Sequence, residues 1–255
     1  MIFKFLINPL ILFLSLLIVF SSCKKQETQT NFKLNSDWFF LNENDSSWLP
    51  ATVPGTIHTD LINNNIIADP FYRLNEHDVQ WIDKKDWRYK TEFEINEEAL
   101  HHQNIFLEFQ GLDTYSSVFL NDSCILKTDN MFRTYSLDVK DQLRLGKNIL
   151  EILFESPIKK GIKKREKLGY YPTISDNDLS EIGKVDGDMK VSVYSRKAGY
   201  HFGWDWGPRL VTSGIWRPIT YQTWNNFKIN DVHIQQDLQK NNVVLNTSVE
   251  IIFDE

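Results

Sequence analysis

The chain contains little of what several classes of protein require. Its 255 residues include 2 cysteines, 11 glycines and 8 prolines, which excludes a collagen-like or low-complexity chain. Basic residues number 28 against 34 acidic ones, giving a formal net charge of −6. Because nucleic-acid binding depends largely on counterion release by lysine and arginine, we expect no nucleic-acid partner. A glycine-rich phosphate loop and zinc-ligand spacing are also missing, so we expect no cofactor and no metal site.

Apolar and aromatic residues are abundant instead. Hydrophobic residues make up 42 % of the chain, enough for one or two domains with a real core. Aromatic residues make up 13 %, with 8 tryptophans, 9 tyrosines and 17 phenylalanines. That exceeds what core filling requires, and such a surplus is typical of interfaces or of platforms that stack against sugars.

The amino terminus has the pattern of an export signal. Residues 1–20 carry one charge, Lys4, and an apolar run over 10–20 that is too short to span a bilayer comfortably. Small residues then precede Cys23, which is typical of a bacterial lipobox. We predict a signal peptide over 1–22, lipidation of Cys23 and a tether over 23–30. An uncleaved anchor and an ordinary signal peptide are the alternatives.

A lipid on Cys23 would make the protein an exported bacterial lipoprotein. Its partner would then be a membrane, and it would face the periplasm or lie at the cell surface. Only Cys124 then remains, so we expect no internal disulfide and a fold stabilised by its core.

Alternation of period two dominates the chain after residue 30. In residues 87–95 apolar or β-branched side chains occupy the odd positions and charged ones the even positions. Similar short apolar runs occur at 105–109, 117–120, 149–154, 215–221 and 243–252, with turn residues between them at Gly111, Asn121-Asp122, 146–148 and Asn241-Asn242. Many short strands without long helices predict an all-β fold, an antiparallel β-sandwich.

Two segments depart from this pattern. Thr56 can cap a short helix that presents Ile57 and Leu61 on one face and ends at 63–65. Over 156–190 we expect no regular structure. Its basic cluster is typical of a solvated face and consists of Lys159, Lys160, Lys163, Lys164, Arg165 and Lys167. Its four aspartates fit solvated loop residues better than calcium ligands: Asp176, Asp178, Asp186 and Asp188.

The strand pattern divides the chain into two domains. A β-sandwich domain is predicted over 31–223, and a new strand pair begins at 224 and runs to 255. Some thirty residues cannot form an immunoglobulin-like sandwich, which takes about 100. The second segment is therefore an incomplete immunoglobulin-like domain, or its strands add to the first domain.

The densest unusual segment lies at 196–209. Asp205 stands between Trp204 and Trp206, with glycines on both sides. Indole faces stack on the apolar face of a pyranose and a carboxylate accepts hydrogen bonds from neighbouring hydroxyls, so these are the parts of a sugar subsite. The alternative is that both tryptophans are core residues and Asp205 caps a turn.

This segment and several others resemble the amino-terminal part of β-mannosidases of glycoside hydrolase family 2. The resemblance covers nearly the whole chain after the leader. It rests on residues 48–61, 68–72, 75–76, 80–82, 86–87, 202–208 and 214–219. Residues 120–122, 130–132 and 145–150 further resemble the sugar-binding jelly-roll module that the wider family shares.

The resemblance implies a fold and a set of roles. The expected order is a galactose-binding-like jelly roll, an immunoglobulin-like sandwich and a (β/α)8 barrel that holds two catalytic carboxylates. Asp205 would bind hydroxyls of the terminal mannose, Trp204 and Trp206 would wall the pocket, and Arg196 would hold Asp205 or substrate. A barrel needs about 250 residues of alternating β and α pattern, and the chain shows none. We therefore assign no catalytic residue here.

Two functions remain open from the sequence. The first is the amino-terminal part of a retaining exo-β-mannosidase, with mannosides or manno-oligosaccharides and its own barrel as partners. The second is a non-catalytic carbohydrate-binding surface lipoprotein.

Overall fold

The computed structural model of the protein describes residues 29–34, 37–42, 45–170, 190–204 and 206–253. The predicted signal peptide, Cys23 and most of the tether lie outside the described residues, as do Asp205 and the four aspartates of 171–189. Within the described ranges, no helix combines the length and the apolar character needed to cross a membrane.

Strands dominate the described structure. In chain order they are β1 (Gln29–Lys33), β2 (Trp38–Asn42), β3 (Leu49–Ala51), β4 (Trp87–Ile95), β5 (Asn104–Phe109), β6 (Leu112–Asp113), β7 (Tyr115–Leu120), β8 (Ser123–Asp129), β9 (Tyr135–Asp138), β10 (Gly146–Glu155), β11 (Gly214–Ile215), β12 (Ile219–Trp224), β13 (Phe227–Leu238) and β14 (Val243–Phe253). The helices are α1 (Ile57–Asn63), α2 (Asn75–Asp78), α3 (Glu97–Leu100) and α4 (Pro157–Leu168).

The strands form an antiparallel sandwich, as the sequence predicts. One sheet has the order β3-β2-β4-β10-β7-β8 and the other the order β1-β12-β5-β9. A short β11-β6 pair joins the segments before β12 and β7. The first strand takes in residues 29 and 30, at the end of the predicted tether, and pairs with β12.

The core lies between the two sheets. In β4 the odd-numbered side chains of Trp87, Tyr89 and Thr91 are buried, which confirms the period-two prediction for this strand. Tyr89 meets Phe154 of β10 edge to face, with ring centroids 5.7 Å apart. Aromatic pairs of this geometry, here between neighbouring strands of one sheet, add to the stabilisation that burial of apolar area gives the core.

Helix α1 forms where the sequence predicts it. Thr56 and Thr59 form a capping box in which each side chain bonds the other residue's backbone N–H. Ile57 and Leu61 face the core. Asp60, on the same short helix, is buried and accepts hydrogen bonds from Tyr89 Oη (2.7 Å) and from the Thr52 N–H (2.8 Å).

The prediction of a single strand over 215–221 is wrong. Residues 214–215 pair with β6, whereas 219–224 pair with β1 and β5 in the main sheet. Pro218 stands between the two pieces and cannot donate a backbone hydrogen bond to a continuous ladder. The turn predicted at 146–148 is also wrong in its placement, since β10 already begins at Gly146.

The prediction that 156–190 lacks regular structure is wrong for its first part, which forms α4. Ser156 Oγ accepts from the Lys159 N–H (3.1 Å), Pro157 occupies the first turn, and Gly169 ends the helix with φ of +75°. Gly161 permits a close approach of Val191, because a Cβ there would come within 2.6 Å of the valine. The helix cap and the terminating glycine are local features, but the run of charged residues between them concealed the helix in the sequence.

The basic cluster lies along α4 and is largely exposed, as predicted. Lys159 and Lys160 form ion pairs with Asp86 (3.5 Å) and Glu155 (2.8 Å). Lys164 Nζ donates to Tyr115 Oη at 2.9 Å. At least three of the six basic side chains therefore have partners on the protein.

Strands β13 and β14 form a two-stranded ribbon after the sandwich. They pair with each other from Phe227–Phe253 to Leu238–Val243. Alternation along both strands places one set of side chains on a common face, and that set is mostly apolar: Phe227, Ile229, Val232, Ile234, Gln236, Leu238, Val243, Leu245, Thr247, Val249, Ile251 and Phe253. The apolar members are exposed. We call this the apolar ribbon face.

Candidate functional site

The two tryptophans of the candidate site lie on a tight hairpin. The Trp204 N–H donates to Gly207 O (3.1 Å), and the Gly207 N–H donates back to Trp204 O (3.3 Å). Asp205, which stands between the two tryptophans in the sequence, lies outside the described residues. We call Trp204, Trp206 and Gly207 the Trp hairpin.

The side chains of the Trp hairpin project from the protein. Trp204 is 40 % exposed and Trp206 81 % exposed, with ring centroids 6.3 Å apart. The alternative that both tryptophans belong to the core is therefore wrong. Indole rings that are exposed to solvent to this extent are typical of a contact site.

A cavity of about 410 Å³ opens beside the Trp hairpin. Its walls are aromatic and apolar, with hydroxyls and two imidazoles among them: Thr56, His58, Thr59, Ile62, Pro70, Phe71, Tyr200, His201, Trp204, Trp206, Gly207, Pro208, Leu210 and Thr212. The first four come from α1 and its cap, so the predicted helix forms one wall. Arg196 is exposed and is not among the described lining residues.

Two histidines of the cavity are held neutral. Burial, with smaller contributions from nearby Lys197 and His201, lowers the pKa of His58 to about 3. Burial also lowers the pKa of His201 to about 4, again with a contribution from Lys197. His201 Nδ1 lies 3.2 Å from Leu210 O, and because a carbonyl only accepts, the ring carries its proton on Nδ1.

Lys197 is a buried cation at the amino-terminal side of this segment. Its side chain is fully buried and pairs with Asp113 of β6, and its Nζ donates to Thr212 O at 2.8 Å. Burial lowers the pKa of Lys197, while Asp113 acts in the opposite direction. The Lys197–Asp113 ion pair joins the start of segment 196–209 to the sandwich.

Arg209 is a second buried cation, on the carboxyl-terminal side. Its Nη1 donates to Gln80 Oε1 (2.7 Å) and to Asp83 Oδ2 (2.6 Å). Its backbone N–H donates to Glu76 Oε1 (2.6 Å), and its carbonyl accepts from Gln80 Nε2 (2.8 Å). One residue is thus held at three points by the segment 76–83.

The sequence alone did not single out these buried groups. His58 and His201 belong to no zinc-ligand pattern, and Lys197 and Arg209 lie near the tryptophans in the sequence without any motif of their own. Their nearness to the Trp-Asp-Trp run was the available signal, but residue type does not reveal burial. Among the residues that the structure describes, no three His, Cys, Asp or Glu side chains gather as a metal site would require.

Comparison with known proteins places this geometry in a family. Residues 38–217 match the profile described as the glycosyl hydrolase 2 galactose-binding domain-like family. The chain belongs to glycosyl hydrolase family 2. The match spans the sandwich from β2 to β11 and includes the Trp hairpin, so it confirms the predicted family and the galactose-binding-like fold.

Two of the named relatives are β-mannosidases. The chain is 36 % identical to β-mannosidase of Capra hircus over 200 residues, covering 78 % of this chain and 22 % of that protein. It is 35 % identical to β-mannosidase B of Emericella nidulans over 230 residues, covering 87 % of this chain and 26 % of that protein.

A solved family 2 structure shows the same fold. The β-D-mannosidase of Dictyoglomus thermophilum superposes with a TM-score of 0.79 at 39 % identity, over 89 % of this chain and 26 % of that one. The chain thus spans about a quarter of the length of the relatives it matches. The described residues contain no (β/α)8 barrel.

Proposed function

We propose that the whole protein is a retaining exo-β-mannosidase that releases terminal non-reducing β-D-mannose from mannosides or manno-oligosaccharides. Relatives named β-mannosidase at 35 to 39 % identity support this substrate class. This chain supplies substrate-binding residues. The catalytic acid and nucleophile, which a retaining glycosidase holds about 5–5.5 Å apart, come from a barrel outside this chain.

The observation that carries the proposal is the Trp hairpin. Two exposed indoles flank position 205 beside an aromatic cavity, on a turn fixed by two backbone hydrogen bonds. Trp204 and Trp206 present faces for a pyranose ring, and Asp205 accepts hydrogen bonds from its hydroxyls. Hydrogen bonds to a charged group contribute about 1.5–3 kcal/mol each. Of the four proposed residues, Arg196 has the least structural support, because it is exposed and does not line the cavity.

The surface around the Trp hairpin supports a contact with the rest of the polypeptide. Phe71, Tyr72, Tyr200 and Trp206 are 57 to 81 % exposed. Adjacent exposed aromatics mark interaction sites. We propose that the barrel packs here, and that the apolar ribbon face packs against the remaining strands of an immunoglobulin-like domain that begins at 224.

Replacement of Asp205 tests the proposed role. In the complete protein, Asp205→Ala should lower kcat/KM on a β-mannoside by at least ten-fold, because one to two charge-assisted hydrogen bonds are lost. Asp141→Ala is the matched control, since Asp141 is exposed and does not line the cavity. An unchanged kcat/KM in Asp205→Ala would exclude the role.

The second candidate is a non-catalytic carbohydrate-binding lipoprotein anchored through Cys23. The same indoles and cavity would then bind sugar without a barrel. Export, the lipid anchor and a location facing the periplasm or at the cell surface are part of both proposals. Membrane association of a Cys23→Ser variant is the measurement that tests the anchor.

A further inference from the structure

We propose that Gln80 and Arg209 are positioning residues that hold the Trp hairpin in its binding geometry. The inference rests on the proposed function, because it concerns the hairpin assigned there to substrate binding. Neither residue lines the cavity, so any effect on substrate would act through the hairpin.

The contacts converge on one point of the backbone. Arg209 follows Gly207 by two residues, with Pro208 between them. Gln80 uses both ends of its amide: Nε2 donates to the carbonyl of Arg209 (2.8 Å), and Oε1 accepts from its guanidinium (2.7 Å). Gln80 is 8 % exposed and Arg209 is fully buried. Because proline fixes φ at position 208, a fixed Arg209 also restricts where the hairpin leaves the sandwich.

The other side of the same segment is held separately. Lys197 is fixed by Asp113 and by the carbonyl of Thr212. His201 bridges the two sides of the loop through Leu210 O at 3.2 Å. The Trp hairpin thus lies in a segment that is anchored at each end by a buried cation. Such anchoring limits small displacements of the binding side chains, and in well-oriented sites a displacement near 1 Å lowers the reaction rate about 100-fold.

The choice of variant follows from these contacts. Removing Arg209 or Asp83 would break a buried ion pair, which is expected to unfold the protein. Gln80→Met has nearly the same shape and removes the two contacts with Arg209 together with the bond from Nε2 to the Glu76 carbonyl (2.8 Å). It leaves the Arg209–Asp83 ion pair and the bond from the Arg209 N–H to Glu76 Oε1 in place. Gln222→Met is the matched control, because Gln222 is also 8 % exposed and bonds Glu108 (3.3 Å) in the other sheet region.

The first measurement uses the 255-residue chain labelled with 5-fluorotryptophan. Fluorine NMR signals of Trp204 and Trp206 are assigned from Trp→Phe variants. We expect Gln80→Met to shift or broaden both signals while that of core Trp38 stays in place, and Gln222→Met to leave all three unchanged. Unchanged hairpin signals in Gln80→Met, or equal changes in Gln222→Met, would overturn the proposal. If Gln80→Met does not fold, the same signals are measured in Gln80→Glu. That variant keeps the acceptor for the Arg209 guanidinium and loses the donor to the Arg209 carbonyl.

The second measurement uses the complete protein. Gln80→Met should lower kcat/KM on a β-mannoside about ten-fold or more. The control Gln222→Met should have the same thermal midpoint of unfolding as Gln80→Met, but a kcat/KM close to that of the wild type. A hairpin that moves without any loss of kcat/KM would overturn the positioning role. If the wild-type complete protein does not hydrolyse β-mannosides, the proposed function fails, whereas the fluorine signals still decide whether Gln80 and Arg209 hold the hairpin.

Discussion

At the scale of single residues, burial sets the chemistry around the candidate site. His58 and His201 line a cavity beside exposed tryptophans, yet both are held in the neutral form by burial and by Lys197. A neutral imidazole with Nδ1 protonated offers only an acceptor on its other nitrogen. The cavity can therefore contact uncharged, hydroxyl-bearing molecules without placing extra positive charge against them.

The same burial predicts how stability depends on pH. The pKa of His58 is about 3 in the folded state against 6.5 for a free side chain, so the unfolded state binds the proton more tightly. The stability that this group contributes is fully present above pH 6.5 and is lost as pH falls toward 3. Each unit of pKa difference corresponds to about 1.4 kcal/mol.

We therefore expect His58→Gln to flatten the loss of unfolding free energy between pH 6.5 and 3, measured by urea denaturation at several pH values. His77→Gln is the control, because His77 is exposed. Asp60 acts in the opposite direction: burial raises its pKa to about 6, so its contribution is lost as pH rises from 4 to 6. Identical pH profiles for wild type and His58→Gln would contradict the prediction.

At the scale of elements, the ribbon of β13 and β14 is the part of the fold with least support. Its strands pair only with each other among the described residues, and the apolar side chains of one face are exposed. Two-stranded ribbons are marginally stable alone, and exposed edges and apolar faces favour pairing with another chain. The ribbon needs a covering layer.

We expect the isolated 255-residue chain to self-associate through the apolar ribbon face. Val249→Lys places a charge at its centre and should shift the chain toward monomer in sedimentation velocity. Ser248→Lys adds the same charge to the opposite face, where Ser248 pairs with His233, and should leave association unchanged. A wild-type chain that stays monomeric at tens of micromolar would refute this expectation.

At the scale of the whole molecule, this chain supplies only part of the proposed binding pocket. The Trp hairpin and cavity belong to one sandwich, while the relatives are about four times as long as the matched region. Because the proposed pocket is completed by a barrel, the 255-residue chain alone should bind mannose or mannobiose weakly or not at all.

Calorimetric titration of the chain with mannobiose checks this expectation, with galactose as the control sugar. Saturable binding with a millimolar or lower Kd that is lost in Trp206→Ala would instead favour the stand-alone binding lipoprotein. The result therefore separates the two proposed functions without requiring the complete protein.

The amino-acid sequence by itself determined those features that depend on near neighbours. The alternation in β4, the Thr56 cap of α1 and the family motifs each lie within a few residues, and the structure and comparisons confirm them. Strand signals are local because side-chain direction alternates with every residue. The helix α4 was the exception, since its charged face concealed a regular cap and stop.

Only the tertiary structure decided which polar groups are buried and which aromatic ones are exposed. Arg209 meets Gln80 across 129 residues of chain, and Lys197 meets Asp113 across 84. No local pattern encodes such contacts, because burial depends on which distant segments fold over a side chain. For the same reason the sequence left open whether Trp204 and Trp206 lie in the core, and the fold placed them at the surface.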